Sequence, residues 1–281
     1  MFSRSWLSAL FLAASVAVPG ALAAQTKDFS QTVDLASGGR FRIDGSKGDV
    51  RVTAWDEDRV EIKARIEAPQ DVSGDYAQRS VEATQIDVHV ADRSVTVRSN
   101  YDDVPTRARS WGGDSRTVPY VHYEIRAPRQ IELEVVADRG DAVVEGFSGT
   151  IDVETDRGEL TASNLQGEIR LSIDRGGTSR LTGIAGSLDI EADRTDVSIR
   201  DLSISGDSRV EIDRGDLECE MPATQTLSIN AEMSRRANLD SDFDITLERQ
   251  SRHVLRGTIN GGGPELSVEA DRSTIRLRRL R

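Results

Sequence analysis

The tripeptide Asp-Arg-Gly recurs at residues 138, 156, 174 and 213 of this 281-residue chain, with variants Asp193-Arg194-Thr195 and Asp271-Arg272-Ser273. From 138 to 213 the spacings are 18, 18, 19 and 20 residues. Each copy separates two segments of alternating apolar residues. Leu133/Val135, Ile151/Val153, Ile169/Leu171/Ile173, Leu188/Ile190 and Val210/Ile212 precede it. Four and six residues past the Asp stand Ala142/Val144, Leu160/Ala162, Val197/Ile199 and Leu217/Cys219. Phe147, Leu165 and Leu202 follow at nine, Gly149 and Gly167 at eleven. One residue inserted after Gly176 brings Leu181, Ile184 and Gly186 into the same frame and accounts for the spacing of 19.

Alternation with period two makes strands with one buried face. Asp followed by Gly is turn chemistry, with the Asp side chain capping the turn and Gly expected to take the positive φ. A strand–turn–strand unit of 18–20 residues cannot bury its apolar face alone, but stacked copies can. The fold expected is therefore all-β, a single-stranded β-solenoid (β-helix) of 18–20-residue coils whose turns stack in parallel. A β-sandwich of hairpins explains the alternation equally well but not the fixed offsets. The same unit continues less regularly on both sides: Phe41/Ile43 with Val50/Val52 around Ser46-Lys47-Gly48, then Val60/Ile62/Ala64; and downstream Leu227/Ile229/Ala231, a turn near Ser234, Ala237/Leu239, Leu266/Val268 and Ile275/Leu277. Residues 240–257 form a longer excursion. Residues 102–117, polar with Gly and Pro and no period, are expected to be an exposed loop open to proteolysis.

Residues 1–23 have the form of a secretory signal peptide: Arg4, an apolar run over 6–19, and Ala21-Leu22-Ala23 as a small-x-small cleavage site. No other stretch has the roughly 18–20 apolar residues of a membrane helix. The expected mature chain, 24–281, is one continuous domain, with irregular strands over 25–130 and regular repeats from 131. It is expected to be soluble and either periplasmic or secreted.

The segments at 48–66 (GDVRVTAWDEDRVEIKARI), 123–146 (YEIRAPRQIELEVVADRGDAVVEG) and 257–279 (GTINGGGPELSVEADRSTIRLRR) resemble the DUF4097 family of bacterial envelope proteins labelled adhesins, itself similar to head GIN domains. The resemblance spans about residues 28–279, and the Asn-Gly-Gly-Gly-Pro element is its most specific piece. It implies a solenoid-like β fold and an envelope location, and no activity. Thr195 and Ser273 depart from the family's polar-polar-Gly turn.

Composition narrows the chemistry. The formal charge is −12, or −13 once Arg4 is removed, which argues against general nucleic-acid binding. All but three of the 36 basic residues are arginines. A single cysteine allows neither an intrachain disulfide nor a cysteine-based zinc site. Stacking would align Arg139, Arg157, Arg175, Arg194 and Arg214 in one column beside Asp138, Asp156, Asp174, Asp193 and Asp213. Two readings are open: Asp makes the turn and Arg screens stacked carboxylates, or the arginines form a ladder for a repeating anionic glycan, which a planar fork binds bidentately.

Outward acids such as Glu132/Glu134, Asp152/Glu154 and Asp189/Glu191 form a solvated face without the glycine-rich nonapeptides of calcium-binding solenoids. None of His89, His122 and His253 singles out a catalytic carboxylate, and Gly261-Gly262-Gly263 reads as a bend. Cys219 falls in an inward position and is expected to be a buried, inert thiol. The reading is a non-enzymatic exported envelope protein of structural or ligand-binding role. It assigns no catalytic residue, cofactor or metal, and its partner is unknown, with an envelope glycan or protein fitting the location. A carbohydrate-active solenoid enzyme with paired carboxylates is one alternative. A sensory partner of an envelope-stress system is another that the resemblance allows.

Overall fold

The computed structural model describes residues 26–108, 114–115 and 117–280. The expected signal peptide lies outside them, as do residues 109–113 and 116 of the expected 102–117 loop. The described residues are all-β with one short helix. Its first part comprises β1 (Thr26–Asp34), β2 (Arg40–Gly45), β3 (Val50–Trp55), β4 (Arg59–Glu67), α1 (Gly74–Ala83), β5 (Gln85–Ala91), β6 (Ser94–Asn100), β7 (Arg107–Ala108), β8 (Asp114–Ser115) and β9 (Tyr120–Pro128). The repeats form β10 (Gln130–Arg139), β11 (Ala142–Glu145), β12 (Ser148–Arg157), β13 (Leu160–Asp174), β14 (Thr178–Asp193), β15 (Asp196–Ile204), β16 (Ser208–Asp213) and β17 (Leu217–Met221). The last part is β18 (Leu227–Met233), β19 (Asn238–Ser241), β20 (Ile245–Gln250), β21 (Val254–Ile259), β22 (Glu265–Asp271) and β23 (Thr274–Arg279).

Successive repeats pair in parallel, equivalent residue to equivalent residue. Leu133 faces Ile151, Ile151 faces Ile169, Ile169 faces Leu188, and Ile190 faces Val210. Beyond the turn, Val144 faces Ala162, Ala162 faces Leu181, Leu181 faces Ile199, and Ile199 faces Cys219. The turns stack with them, Arg139 opposite Arg157 and Asp174, Asp193 and Asp213 opposite one another. These pairings are parallel, unlike the antiparallel hairpins of a sandwich. The insertion after Gly176 is absorbed before Thr178, which restores Leu165–Ile184 and Gly167–Gly186. Inward side chains from both sides of the turns join one buried cluster, Cys219 among them.

Two rows of pairings result, sharing β13 and β14. One runs β5–β6–β2–β10–β12–β13–β14–β16–β22–β18–β21–β20. The other runs β1–β4–β9–β3–β11–β13–β14–β15–β17–β23–β19. The upstream unit β2–β3 sits directly on β10–β11, as its pattern suggests. The downstream order differs from the chain order: β22–β23 inserts between β16–β17 and β18–β19.

Three local expectations are corrected. In four turns the residue with positive φ is the arginine (Arg175 +50°, Arg194 +53°, Arg214 +56°, Arg272 +52°), not the residue after it, which is Gly176, Thr195, Gly215 and Ser273 in turn. The glycine answers a different need, because stacked turns nearly touch. A Cβ on Gly158 would lie 2.0 Å from the Gly140 carbonyl oxygen, and one on Gly215 2.0 Å from that of Thr195. Thr195 and Ser273 fit because each hydroxyl accepts from the N–H of the turn before it: Gly176 N to Thr195 Oγ1 is 2.9 Å and Gly215 N to Ser273 Oγ 3.5 Å. Second, the irregular first part includes α1, which buries Ala77, Ser80 and Val81, while the Lys27 ammonium donates to the Glu82 and Thr84 carbonyls at its C-terminal end. Third, the stretch 102–117 is not wholly without strands, since β7 and β8 pair antiparallel within it.

Candidate functional site

The turn arginines and aspartates stand side by side as expected and neutralise one another in a zigzag. Arg157 bridges Asp138 at 3.3 Å and its own Asp156 at 3.0 Å. Arg175 bridges Asp156 and, at 2.9 Å, Asp174. Arg214 reaches Asp193 and Asp213, both at 2.8 Å, and Arg272 continues the pattern with Asp213 and Asp271, both at 3.0 Å. Two members hold back. Among the described residues Arg139 reaches one carboxylate, Asp138 at 3.6 Å, and Arg194 one, Asp193 at 3.7 Å. The Asp174 oxygen that Arg194 would meet, Oδ1, has no hydrogen-bond partner among the described residues.

This arrangement holds carboxylates ionised. Desolvation pushes Asp156 up, but hydrogen bonding with Asp138, Arg175 and Arg157 outweighs it and leaves the group below its ordinary value. The Ser234 hydroxyl and then Arg272 lower Asp271, and Arg278 lowers Asp240. Asp156 and Asp174 in turn raise the Arg175 guanidinium.

A second set of aspartates stands three residues past Ser46, Asp138, Asp193 and Asp213, an offset that the repeat contains but that its apolar pattern does not single out. Asp49, Asp141, Asp196 and Asp216 each accept the backbone N–H of the residue stacked on them: Asp141, Glu159, Asp216 and Thr274, at 2.9–3.0 Å. Desolvation raises Asp216, yet Arg276 and the Thr274 N–H hold it low overall. These acids are consumed in joining repeats.

Of the outward acids, Glu132 pairs with Arg40 and Glu134 with Arg42, and on neighbouring strands Glu211 and Glu269 share Arg209. Of the histidines, His89 lies on exposed β5, and His253 Nδ1 lies 3.1 Å from the Met233 carbonyl. His122 lies in the most varied polar setting. Its Nδ1 is 3.1 Å from Asp49 Oδ2, its ring stacks beside Tyr120, and the Lys47 ammonium sits 4.0 Å over the Tyr120 ring. Desolvation lowers the Lys47 ammonium, with Asp71 opposing and Arg139 adding to the shift. A shallow depression of about 460 Å³ opens here over Asp49, Arg51, His122, Glu124 and Asp141. The Gly261–Gly262 pair turns with φ of +87° and +88° between β21 and β22, as a bend. Among the described residues no group of three or more His, Cys, Asp or Glu is placed to hold a metal. Among them, too, no helix is long and apolar enough to cross a membrane.

No family model matches the chain, and no curated protein matches it. Solved structures similar to it include a "putative cell adhesion protein" from Clostridium sporogenes (12% identity, 90% of this chain and 99% of the other, TM-score 0.38). Others are a "putative adhesin" from Parabacteroides merdae (10%, 89% and 96%, 0.34) and a "putative lipid binding protein" from Parabacteroides distasonis (8%, 89% and 96%, 0.38). Likeness at this level assigns no role to this chain.

Proposed function

We propose that this chain is a non-enzymatic, exported envelope protein of the DUF4097 type, built as one continuous β-solenoid, with a structural or ligand-binding role. The observation that supports it is the mutual neutralisation of the turn ladder. A glycosidase needs one carboxyl group kept protonated as general acid. The shifts at Asp156, Asp216, Asp240 and Asp271 run the other way, toward the ionised form. Within the column, Arg157, Arg175 and Arg214 serve the stack, each bridging two carboxylates. Contact with an anionic envelope glycan falls to Arg139 and Arg194, whose guanidinium groups are about half exposed and only loosely held.

The test is a glycan array probed with the mature protein and two double variants, alongside thermal melts and turnover assays on polysaccharides. Arg139→Ser/Arg194→Ser should lose binding to anionic glycans and keep its melting temperature. Arg157→Ser/Arg175→Ser should melt earlier. Turnover of any polysaccharide would overturn the non-enzymatic reading. Glycan binding indifferent to Arg139 and Arg194 would overturn the assignment of the ladder.

A further inference from the structure

The row of pairings that begins at β5 and ends at β20 is unfinished at both ends in the same way. In its interior every strand has a neighbour on each side, and inward residues such as Ile151, Ile190 and Val210 are 0–2% exposed. At the ends the neighbour exists on one side only. β5 pairs with β6 and β20 with β21, and among the described residues neither has a partner at its outer edge. Their core-side residues remain partly open: Ile86 and Val88 on β5, Ile245 on β20. The two most exposed large aliphatic residues of the described chain lie on these strands, Val90 at 57% and Leu247 at 50%. An unpaired edge carrying apolar side chains is a template for another strand.

The two ends also differ in charge. Residues 71–103, which carry α1, β5 and β6, hold seven acids against three arginines. Residues 245–256, the hairpin β20–β21, hold Arg249, Arg252 and Arg256 against Glu248 alone. β5 runs antiparallel to β6, which is parallel to β2 and the interior strands; β21 reverses from β18 and β20 reverses again. A second copy placed along the stack would therefore set β20 antiparallel to β5, a regular ladder geometry.

We infer that the partner of this surface is a second copy of the chain, with β20 of one molecule adding to β5 of the next in a head-to-tail contact. Because the two patches differ, the contact is heterologous and propagates into a filament. It continues row and core across the junction, joining a basic end to an acidic one.

Analytical ultracentrifugation of the full mature chain tests this with Val90→Lys and Leu247→Lys, both at exposed positions, with circular dichroism melts to check folding. The wild type should gain mass with concentration, and each variant alone should stay monomeric. An equimolar mixture of the two should form dimers and nothing larger, because each supplies the one intact end that the other lacks. A wild type that stays monomeric, a variant that still assembles alone, or a mixture that yields no dimer would each overturn the proposal.

Discussion

The repeats from β10 to β17 and the two end regions meet the same requirement, burial of one face of short strands, in different ways. In the repeats each strand lies on the strand 18–20 residues away, in parallel, and the contact is repeated residue for residue. At the ends the chain turns back on itself: β5–β6, β4–β9, β1–β4, β18–β21 and β20–β21 are all antiparallel. Parallel stacking needs a further copy beyond each strand, whereas an antiparallel pair forms where the chain turns back and calls for no further repeat. The lesson is that regular repetition supplies the interior, and reversal of strand direction marks three of the four row ends, β19 remaining parallel to its neighbour β23.

The sharpest way to break this contrast is at the turn glycines. Gly158→Val would drive a side chain into the Gly140 carbonyl and should destabilise the fold by more than about 4 kcal/mol. Gly261→Ala, in the end region with open space around it, should cost about 1–2 kcal/mol, all of it backbone strain. Urea denaturation of both variants gives the ratio, and equal losses would dissolve the distinction. Next in size are the inward side chains. Ile190→Ala in the interior should cost about 2–5 kcal/mol, and Leu247→Ala at the end should stay within about 0.5 kcal/mol.

Cys219 tests the last regular repeat. Burial, with Glu218 adding to it, pushes its thiol up to about 12, so native protein should resist thiol reagents and Cys219→Ala should cost about 1 kcal/mol. Rapid labelling would show that this repeat opens like the ends. Thr155 occupies an inward position with a buried hydroxyl that has no partner among the described residues, so Thr155→Val should raise the unfolding free energy by about 1 kcal/mol.

The smallest effect is one that should not discriminate between the regions. Asp156 in the repeats and Asp240 in the end region are both lowered in the fold. A carboxylate depressed in the native state adds stability that is present above its unfolded value and lost as pH falls through the lower native one. Denaturation midpoints should hold from neutrality and decline below about 3.8. Arg175→Gln and Arg278→Gln should each flatten that decline. A decline insensitive to both would locate the acid-labile groups elsewhere.

Much of the interior is legible from residue types alone. The offsets of four, six and nine residues identify the buried side chains, the insertion at Gly176 included, because a stacked repeat imposes one environment on equivalent positions. The paired columns of Asp and Arg are legible for the same reason. Less so is which residue meets which constraint within a turn: arginine takes the left-handed conformation and glycine answers a close approach between copies, a relation no single repeat contains. Thr195 and Ser273 are the residues that disclose it. The helix α1 escapes a periodicity search because its buried face is Ala77, Ser80 and Val81, spaced as a helix but small and partly polar. The cluster around His122 escapes because Lys47, Asp49 and Tyr120 come from separate segments that meet only across β3 and β9.

The interleaving of β22–β23 carries a consequence for how the chain reaches this arrangement. Interior neighbours are 18–20 residues apart, but Arg40 must find Glu132 across 92 residues and Arg209 must find Ser267 across 58. β18 and β19 are made before the pair that separates them from the repeats, so until that pair arrives β18 has only β21 beside it and neither strand is joined to the repeats. Interior strands are able to zip as they appear, each closing a short loop of small entropic cost. The two ends lock only when distant segments arrive, so the order of completion runs outward from the middle. A chain halted before residue 265 would lose the seating of β18 and β19 together with β22 and β23. The segment from Glu265 to Arg279 thus acts as a keystone, set in place after the pieces it holds apart.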